Sequence, residues 1–191
     1  MRTHAILHCL IPLVLSSLCT AANPGAAIYE QSGVQGGLIV ELGFVDAQFT
    51  AKLGDRNAVA LQTLDTDPQR VAEARKELAL HGQYGRITVA HWEGKRLPYA
   101  DNLVNLIVCH SDPGAEVSRE ELMRVLAPGG VLVREGEGDG FVVDGVRWRM
   151  TRKPWPQEID QWTHFLHSAS GNAVAADRRV APPEALQWIA G

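Results

Sequence analysis

The stretch LIVELGFVDAQFTAKL, residues 38–53, determines how the rest of the sequence is interpreted. It opens with an apolar run that is followed by Glu41 and Leu42. A loop with one glycine, Gly43, comes next, and the spacing of apolar residues from about Asp46 to Leu53 predicts a helix. A buried strand, a short glycine loop and a helix form the first part of a βαβ unit, in which the backbone after the strand faces a ligand. The stretch therefore predicts an α/β domain with a ligand site directly after its first strand.

Strands and helices alternate regularly after this stretch. The run 103–110 is almost continuously apolar, as a parallel strand buried on both faces should be. The best helix covers 66–82, where Asp67 is suited to N-capping and Pro68 to the first turn. Further strands are predicted at 57–65, 86–92 and 131–135, and a further helix from Ser118 to just before Pro128. This order predicts a Rossmann-like doubly wound parallel sheet.

The C-terminal part departs from the alternation. Two short β-prone runs within 140–151 surround Asp144-Gly145, which predicts a β-hairpin with a two-residue turn. Residues 156–170 are expected to form a short helix, followed by a loop and an apolar run at 186–189. We therefore expect one domain over 28–151 and a junction segment over 152–191.

The first 22 residues have the layout of a secretory signal peptide. Arg2 precedes an apolar stretch from Ala5 to Leu18, and Thr20 and Ala22 have the spacing of a signal-peptidase site. The stretch is too short for a stable membrane span, although a buried N-terminal helix is an alternative. Cleavage after Ala22 would export the protein to the periplasm or the extracellular space and would leave Cys109 as the only cysteine.

Composition limits the classes of function. The 191 residues are 46% hydrophobic and 21% charged, which is typical of a globular protein. The net charge of −4 gives no reason to expect a nucleic-acid partner. A small-molecule ligand or a protein domain is the expected partner.

Four segments of residues 36–135 resemble class I S-adenosylmethionine-dependent methyltransferases of type 11. They are ELG at 41–43, LDTDP at 64–68, EGKRLPYADNLVNLIV at 93–108 and ELMRVLAPGGVLV at 121–133. The resemblance implies that S-adenosylmethionine binds after the first strand and that a methyl group passes to a small acceptor.

The resemblance also implies which residues contact this cofactor. Glu41, Gly43 and Val45 occupy the loop positions that approach the methionyl end. Asp65 and Thr66 occupy the end of the second strand, where a carboxylate accepts hydrogen bonds from the ribose hydroxyls. Glu93 occupies the place that contacts the adenine amino group. No general base is indicated.

The loop departs from the family's pattern, E/D-x-G-x-G-x-G. Val45 stands at a glycine position, and its branched side chain resists positive φ and fills space that a ligand would use. Asp46 adds a negative charge close to a ligand that carries a carboxylate. Two interpretations stay open, an active methyltransferase and a degenerate domain that serves as a non-catalytic scaffold.

The C-terminal segment has a resemblance of its own. EIDQWTHFLHSASGNAVA at 158–175 and PPEALQW at 182–188 are similar to the junction in exported bacterial proteins between a methyltransferase-like unit and a pyrroloquinoline-quinone-binding-like β-propeller. The resemblance implies that the chain is the front end of a longer quinoprotein-like architecture.

Three further groups of residues have side chains that are capable of chemistry. Cys109 and His110 are neighbours at a strand end, so they should face opposite sides of the sheet, with the cysteine buried. Asp160, His164 and His167 share a predicted helix face, but without a further ligand we predict no metal site. A basic and aromatic group is interpreted as protection of an edge strand: Arg147, Trp148, Arg149, Arg152, Lys153 and Trp155.

Overall fold

The computed structural model describes residues 23–83, 85–110, 117–138, 140–160, 164–167 and 169–171, together with Val174 and Arg178. The strands are β1 Gly37–Leu42, β2 Val59–Asp65, β3 Ile87–His91, β4 Val104–Cys109, β5 Leu126–Glu135, β6 Gly140–Val143 and β7 Val146–Arg152. The helices are α1 Pro24–Ser32, α2 Ala47–Gly54, α3 Pro68–Leu80 and α4 Arg119–Val125. The predicted signal peptide lies outside the described residues.

The strands form one sheet in the order β3-β2-β1-β4-β5-β7-β6. The first five are parallel, whereas β7 runs antiparallel to both β5 and β6. Buried apolar residues cover both faces of the sheet. The predicted parallel sheet with helices is confirmed. The strand order reverses between β1 and β4, and open α/β sheets bind ligands at such a point.

Helix α4 ends, and strand β5 begins, earlier in the sequence than predicted. The helix ends at Val125, and the next ten residues, 126–135, belong to β5. Lys153 Nζ donates to the carbonyls of Met123 and Leu126 at 2.5 and 2.7 Å, so the helix end is satisfied by a side chain from beyond β7. Leu126 pairs with Val104 at the start of β4. The helical spacing of residues 118–127 could not reveal these distant partners.

Helix α1 was not predicted from the sequence. Asn23 caps it by accepting a hydrogen bond from the backbone N–H of Ala26 at 3.3 Å. Gly25 permits close contact with α2, because a Cβ there would lie 2.5 Å from the carbonyl oxygen of Lys52. The Tyr29 hydroxyl donates to the Leu53 carbonyl at 2.7 Å. The helix is therefore an integral part of the core, and the predicted domain start at residue 28 falls inside it.

The C-terminal segment agrees with the prediction in its hairpin but not in its helix. Asp144 and Gly145, with φ of 50° and 80°, form the predicted turn between β6 and β7. Of residues 156–170, those that are described lie in turns and irregular backbone, together with an isolated bridge between His164 and His167. His167 has a φ of 56°, which an α-helix does not accommodate, and its ring bonds back to Asp160. The short helix predicted there is therefore wrong for these residues.

Because Tyr29 is buried where α1 packs against α2, we expect the free energy of unfolding to fall at high pH. Burial raises the pKa of the Tyr29 phenol from 10 to about 12, although Arg56 opposes the shift. The stabilisation from Tyr29 is complete below pH 10 and is lost as the pH rises towards 12. Between pH 8 and pH 11.5 we expect the wild type to lose roughly 2 kcal/mol of unfolding free energy through this group.

Urea unfolding of the wild type and of Tyr29→Phe at both pH values measures this loss. Tyr99, whose pKa burial also raises, serves as the internal control because its share is retained in the variant. An equal pH slope in the two proteins would contradict the docking of α1.

Candidate functional site

Two polar residues meet where the strand order reverses. Glu41 is the residue before the last one of β1, and His110 follows directly after β4. The backbone N–H of His110 donates to the carbonyl of Leu42 at 3.3 Å, which extends the pairing of the two strands by one residue. The carboxyl ends of β1 and β4 therefore bring residues 69 positions apart into contact.

Glu41 is completely buried, and three side chains bond to its carboxylate. Its Oε2 atom accepts hydrogen bonds from the hydroxyls of Thr50 at 2.9 Å and Thr63 at 2.7 Å. Its Oε1 atom lies 3.1 Å from Nε2 of His110. A buried carboxylate is tolerated only with such partners, since its desolvation costs several kcal/mol. Glu41 thus links β1 with α2, β2 and the end of β4.

His110 lies between this carboxylate and a cleft. Its ring is 7% exposed and packs at edge-on angles against Phe49 and Trp148, with centroids 4.9 and 5.4 Å away. The hydrogen-bond pattern assigns a hydrogen to Nε2, because the carboxylate of Glu41 is the acceptor. The opposite ring nitrogen, Nδ1, lies 3.8 Å from Oε2 of Glu135. That separation is too long for a direct hydrogen bond.

The cleft in front of His110 has a volume of about 290 Å³. It lies between the start of α2, the end of β5 and the hairpin of β6 and β7. Its lining consists of Pro24, Val45, Asp46, Gln48, Phe49, Lys52, His110, Glu135, Val143, Asp144, Val146 and Trp148. Three carboxylates and one ammonium group thus line it, so the cleft is acidic. Its size is close to the lower limit of small-molecule sites.

The loop after β1 is bonded to the protein itself. Gly43 has a φ of 85°, a conformation that favours glycine, and its N–H donates to the Leu64 carbonyl at 2.8 Å. The N–H of Phe44 donates to Asp65 Oδ2 at 2.9 Å. Asp46 caps α2 by accepting from the N–H of Phe49 at 2.8 Å. The loop is therefore stabilised by its own contacts.

Val45 stands on the edge of the cleft. Its side chain is 58% exposed, and the residue is not among those with positive φ. A valine at this place is therefore accommodated without backbone strain. The side chain still narrows the cleft that it lines.

Asp65 uses its carboxylate inside the fold. Besides the N–H of Phe44, it accepts the N–H of Asp67 at 2.8 Å, and Arg70 Nη2 lies 3.2 Å from its Oδ1 atom. Its side chain is 0% exposed. Three donors satisfy most of the roughly four acceptor positions of a carboxylate. Asp65 therefore joins the β1 loop to the start of α3.

The six residues predicted for the cofactor are only partly brought together. Glu41, Gly43 and Val45 are consecutive parts of one strand end and loop, and Asp65 joins them through the N–H of Phe44. Thr66 is half-buried and Glu93 is exposed. Of the six, only Val45 lines the cleft in front of His110.

Sequence reasoning missed the contacts of His110 with Glu41, Glu135 and Trp148. The signal was present, since Glu41 and His110 both stand at carboxyl ends of strands in a predicted parallel sheet. What it lacked was the knowledge that β1 and β4 are neighbours. As predicted, Cys109 faces the other side, where burial raises the pKa of its thiol against an opposing effect of Arg134.

The other groups singled out from the sequence have structural contacts. His167 Nε2 lies 2.6 Å from Asp160 Oδ2, and among the described residues no group of acids, histidines and cysteines is arranged to hold a metal ion. In the basic and aromatic group, Trp148 is buried, and Arg152 donates to the carbonyls of Ser32 and Gly129. No helix in the described part of the chain has the length and apolar character to cross a membrane.

Solved structures show the same fold. A candidate S-adenosylmethionine-dependent methyltransferase from Methanococcus maripaludis matches with a TM-score of 0.53 and 21% identity over 62% of this chain and 55% of that one. The [4+2]-cyclase SpnF matches with a TM-score of 0.51 and 24% identity over 65% and 48%. A candidate sarcosine dimethylglycine methyltransferase from Galdieria sulphuraria matches with a TM-score of 0.50 and 22% identity over 58% and 44%.

These matches define the chain as a methyltransferase-like Rossmann domain by fold. The matched part spans about half the length of the solved proteins. No protein-family model matches the sequence, and no curated protein matches it. Since one of the structures named above is a cyclase, the fold alone does not determine the reaction.

The contacts of Glu41 predict a large effect on stability. Glu41→Leu would leave the His110 imidazole and two threonine hydroxyls buried without their acceptor, and we expect a loss of roughly 3–5 kcal/mol of unfolding free energy. Urea unfolding measures the loss, and Glu30→Leu on the exposed face of α1 is the control, expected to stay within about 0.5 kcal/mol. A similar small change in both variants would show that Glu41 does not hold these elements together.

Proposed function

We propose that the domain binds S-adenosylmethionine and transfers its methyl group to a small acceptor. The proposal is supported chiefly by one observation: in a methyltransferase-like fold, a cleft with a buried Glu41–His110 pair lies at the reversal point of the strand order. Methyl transfer depends mainly on positioning the nucleophile in line with the methyl group. A cleft with rigid aromatic walls is suited to that task.

The cofactor would lie over the carboxyl ends of β1 and β2. The residues assigned to it are those that the family resemblance implies: Glu41, Gly43, Val45, Asp65, Thr66 and Glu93. The Asp65 side chain is fully buried, so it would accept from a ribose hydroxyl after Arg70 moves aside. Glu93 is exposed and therefore accessible to an adenine amino group. Glu41 would act indirectly, by holding the end of β1 and the His110 ring in position.

Calorimetric titration tests the proposal. S-adenosylmethionine and S-adenosylhomocysteine should each bind with one-site stoichiometry and a dissociation constant in the micromolar range. Absence of binding at millimolar ligand would contradict it.

Val45→Gly should tighten the binding of S-adenosylmethionine. The change removes a branched side chain from the loop that would face the cofactor and gives this loop access to positive φ, a gain of roughly tenfold in affinity. Val142→Gly is the matched control, because Val142 is also an exposed valine, at 54%, and does not line the cleft. If the two variants bind equally well, the loop is not the obstacle and the cofactor does not use this surface.

A second candidate function is a non-catalytic scaffold. It is favoured by the Asp65 carboxylate, which is enclosed by Arg70 and by two backbone N–H groups where a ligand would need it. The C-terminal segment also exposes apolar side chains, with Phe165 at 94% and Trp155 at 59%. Such a scaffold would support a β-propeller, the partner that the resemblance of this segment implies. The titration above separates the two candidates.

We further propose that the protein is exported after cleavage behind Ala22. Asn23 would then be the first residue of the mature protein and would keep its capping contact with α1. N-terminal sequencing of protein from a native host should give Asn-Pro-Gly as the first residues. Intact Met1 in the cytosolic fraction would contradict export, and it would place the domain in the compartment where S-adenosylmethionine is made.

A further inference from the structure

Two hydrogen-bond acceptors face each other across the inner end of the cleft. In the neutral tautomer of His110 whose Nε2 donates to Glu41, Nδ1 is an acceptor. It lies 3.8 Å from Oε2 of Glu135, which is likewise an acceptor when ionised. The pair is too far apart to share one proton directly and close enough for one donor group to bond to both. A group with at least two N–H bonds has the right chemistry.

The charges around this point favour a cation. Glu135 on β5, Asp46 at the start of α2 and Asp144 in the hairpin turn all line the cleft, and Lys52 is the one ammonium group in its lining. Glu41 adds a further carboxylate behind His110. A phosphate or a second carboxylate would therefore be repelled at the inner end. An ammonium group would be attracted there.

The walls limit the size of the ligand. Phe49 and Trp148 stack at 6.0 Å, and both rings pack edge-on against His110. Aromatic rings beside a cation add attraction when water is excluded. With about 290 Å³ available, the ligand must be small.

We propose that the cleft holds the methyl acceptor by a primary or secondary ammonium group that donates one hydrogen bond to His110 Nδ1 and another to Glu135 Oε2. The assignment of this amine as the acceptor rests on the proposed methyltransferase function, whereas binding of the amine in the cleft does not.

The arrangement also provides the proton transfer that such an acceptor needs. An ammonium nitrogen has no free electron pair, so it must lose a proton before it attacks. His110 Nδ1 takes this proton, and the resulting imidazolium is stabilised by Glu41 at Nε2. The freed nitrogen pair then forms the N–C bond to the methyl group of S-adenosylmethionine as the S–C bond breaks. The electrons of the broken bond stay on sulfur, and His110 returns its proton to solvent.

Nuclear magnetic resonance titration with n-butylamine tests the binding site. The ring signals of His110 and the indole signal of Trp148 should shift with a dissociation constant on the order of 1 mM, as expected for so few heavy atoms. n-Butanol, which has the same shape and no charge, should bind at least about tenfold more weakly. Equal binding of amine and alcohol would overturn the proposal.

Two variants, and titration in the presence of S-adenosylhomocysteine, distinguish the remaining outcomes. Glu135→Gln should weaken n-butylamine by about tenfold or more, whereas Glu137→Gln, two residues further on and 99% exposed, should leave it unchanged. Amine binding should persist at saturating S-adenosylhomocysteine, and competition between the two would overturn the assignment to the acceptor. If the amine binds but the cofactor does not, the methyltransferase function fails while the amine site stands. If only the cofactor binds, the amine site fails alone.

Discussion

The buried carboxylate of Glu41 is the interaction on which the candidate site depends. It stands near the end of β1 and bonds to Thr50 of α2, Thr63 of β2 and His110 after β4. An uncompensated carboxylate in the core would be too costly to keep ionised, so these four positions are chemically interdependent. The same contacts that make the acid tolerable also fix the orientation of the imidazole. Stability and preorganisation of the cleft therefore have one source.

A second buried carboxylate, Asp65, has a different consequence. Its partners are backbone N–H groups and Arg70, so its acceptors are used to fasten the β1 loop and the start of α3. Glu41 presents a histidine to the cleft, whereas Asp65 presents little to any ligand. Whether the domain still binds a nucleotide cofactor therefore depends on how readily Arg70, which is partly exposed, yields to a ribose.

Local signals predicted most of the fold. The continuous apolar run of β4 and the Asp144-Gly145 turn each carry their physical cause within a few residues, and both are confirmed. Features that depend on distant partners were missed: the end of α4 is set by Lys153, and α1 is held by contacts with α2. The Glu41–His110 contact needed the strand order, which single-strand patterns do not contain. The sequence thus predicted the loop after β1 but not the contacts of His110 in the candidate site.

A shared fold leaves the reaction open, because a candidate methyltransferase and a cyclase both match this chain. More specific to the ligand is the charge of the cleft, whose lining contains three carboxylates and one ammonium group. Asp46 at the start of α2, Glu135 at the end of β5 and Asp144 in the hairpin turn line the cleft, and His110 lies between Glu135 and the buried Glu41. A ligand with an ammonium group would be attracted by these carboxylates and can donate to both Glu135 and His110, whereas an anionic ligand would be repelled. The chemistry of the cleft therefore restricts the ligand more narrowly than the fold restricts the reaction.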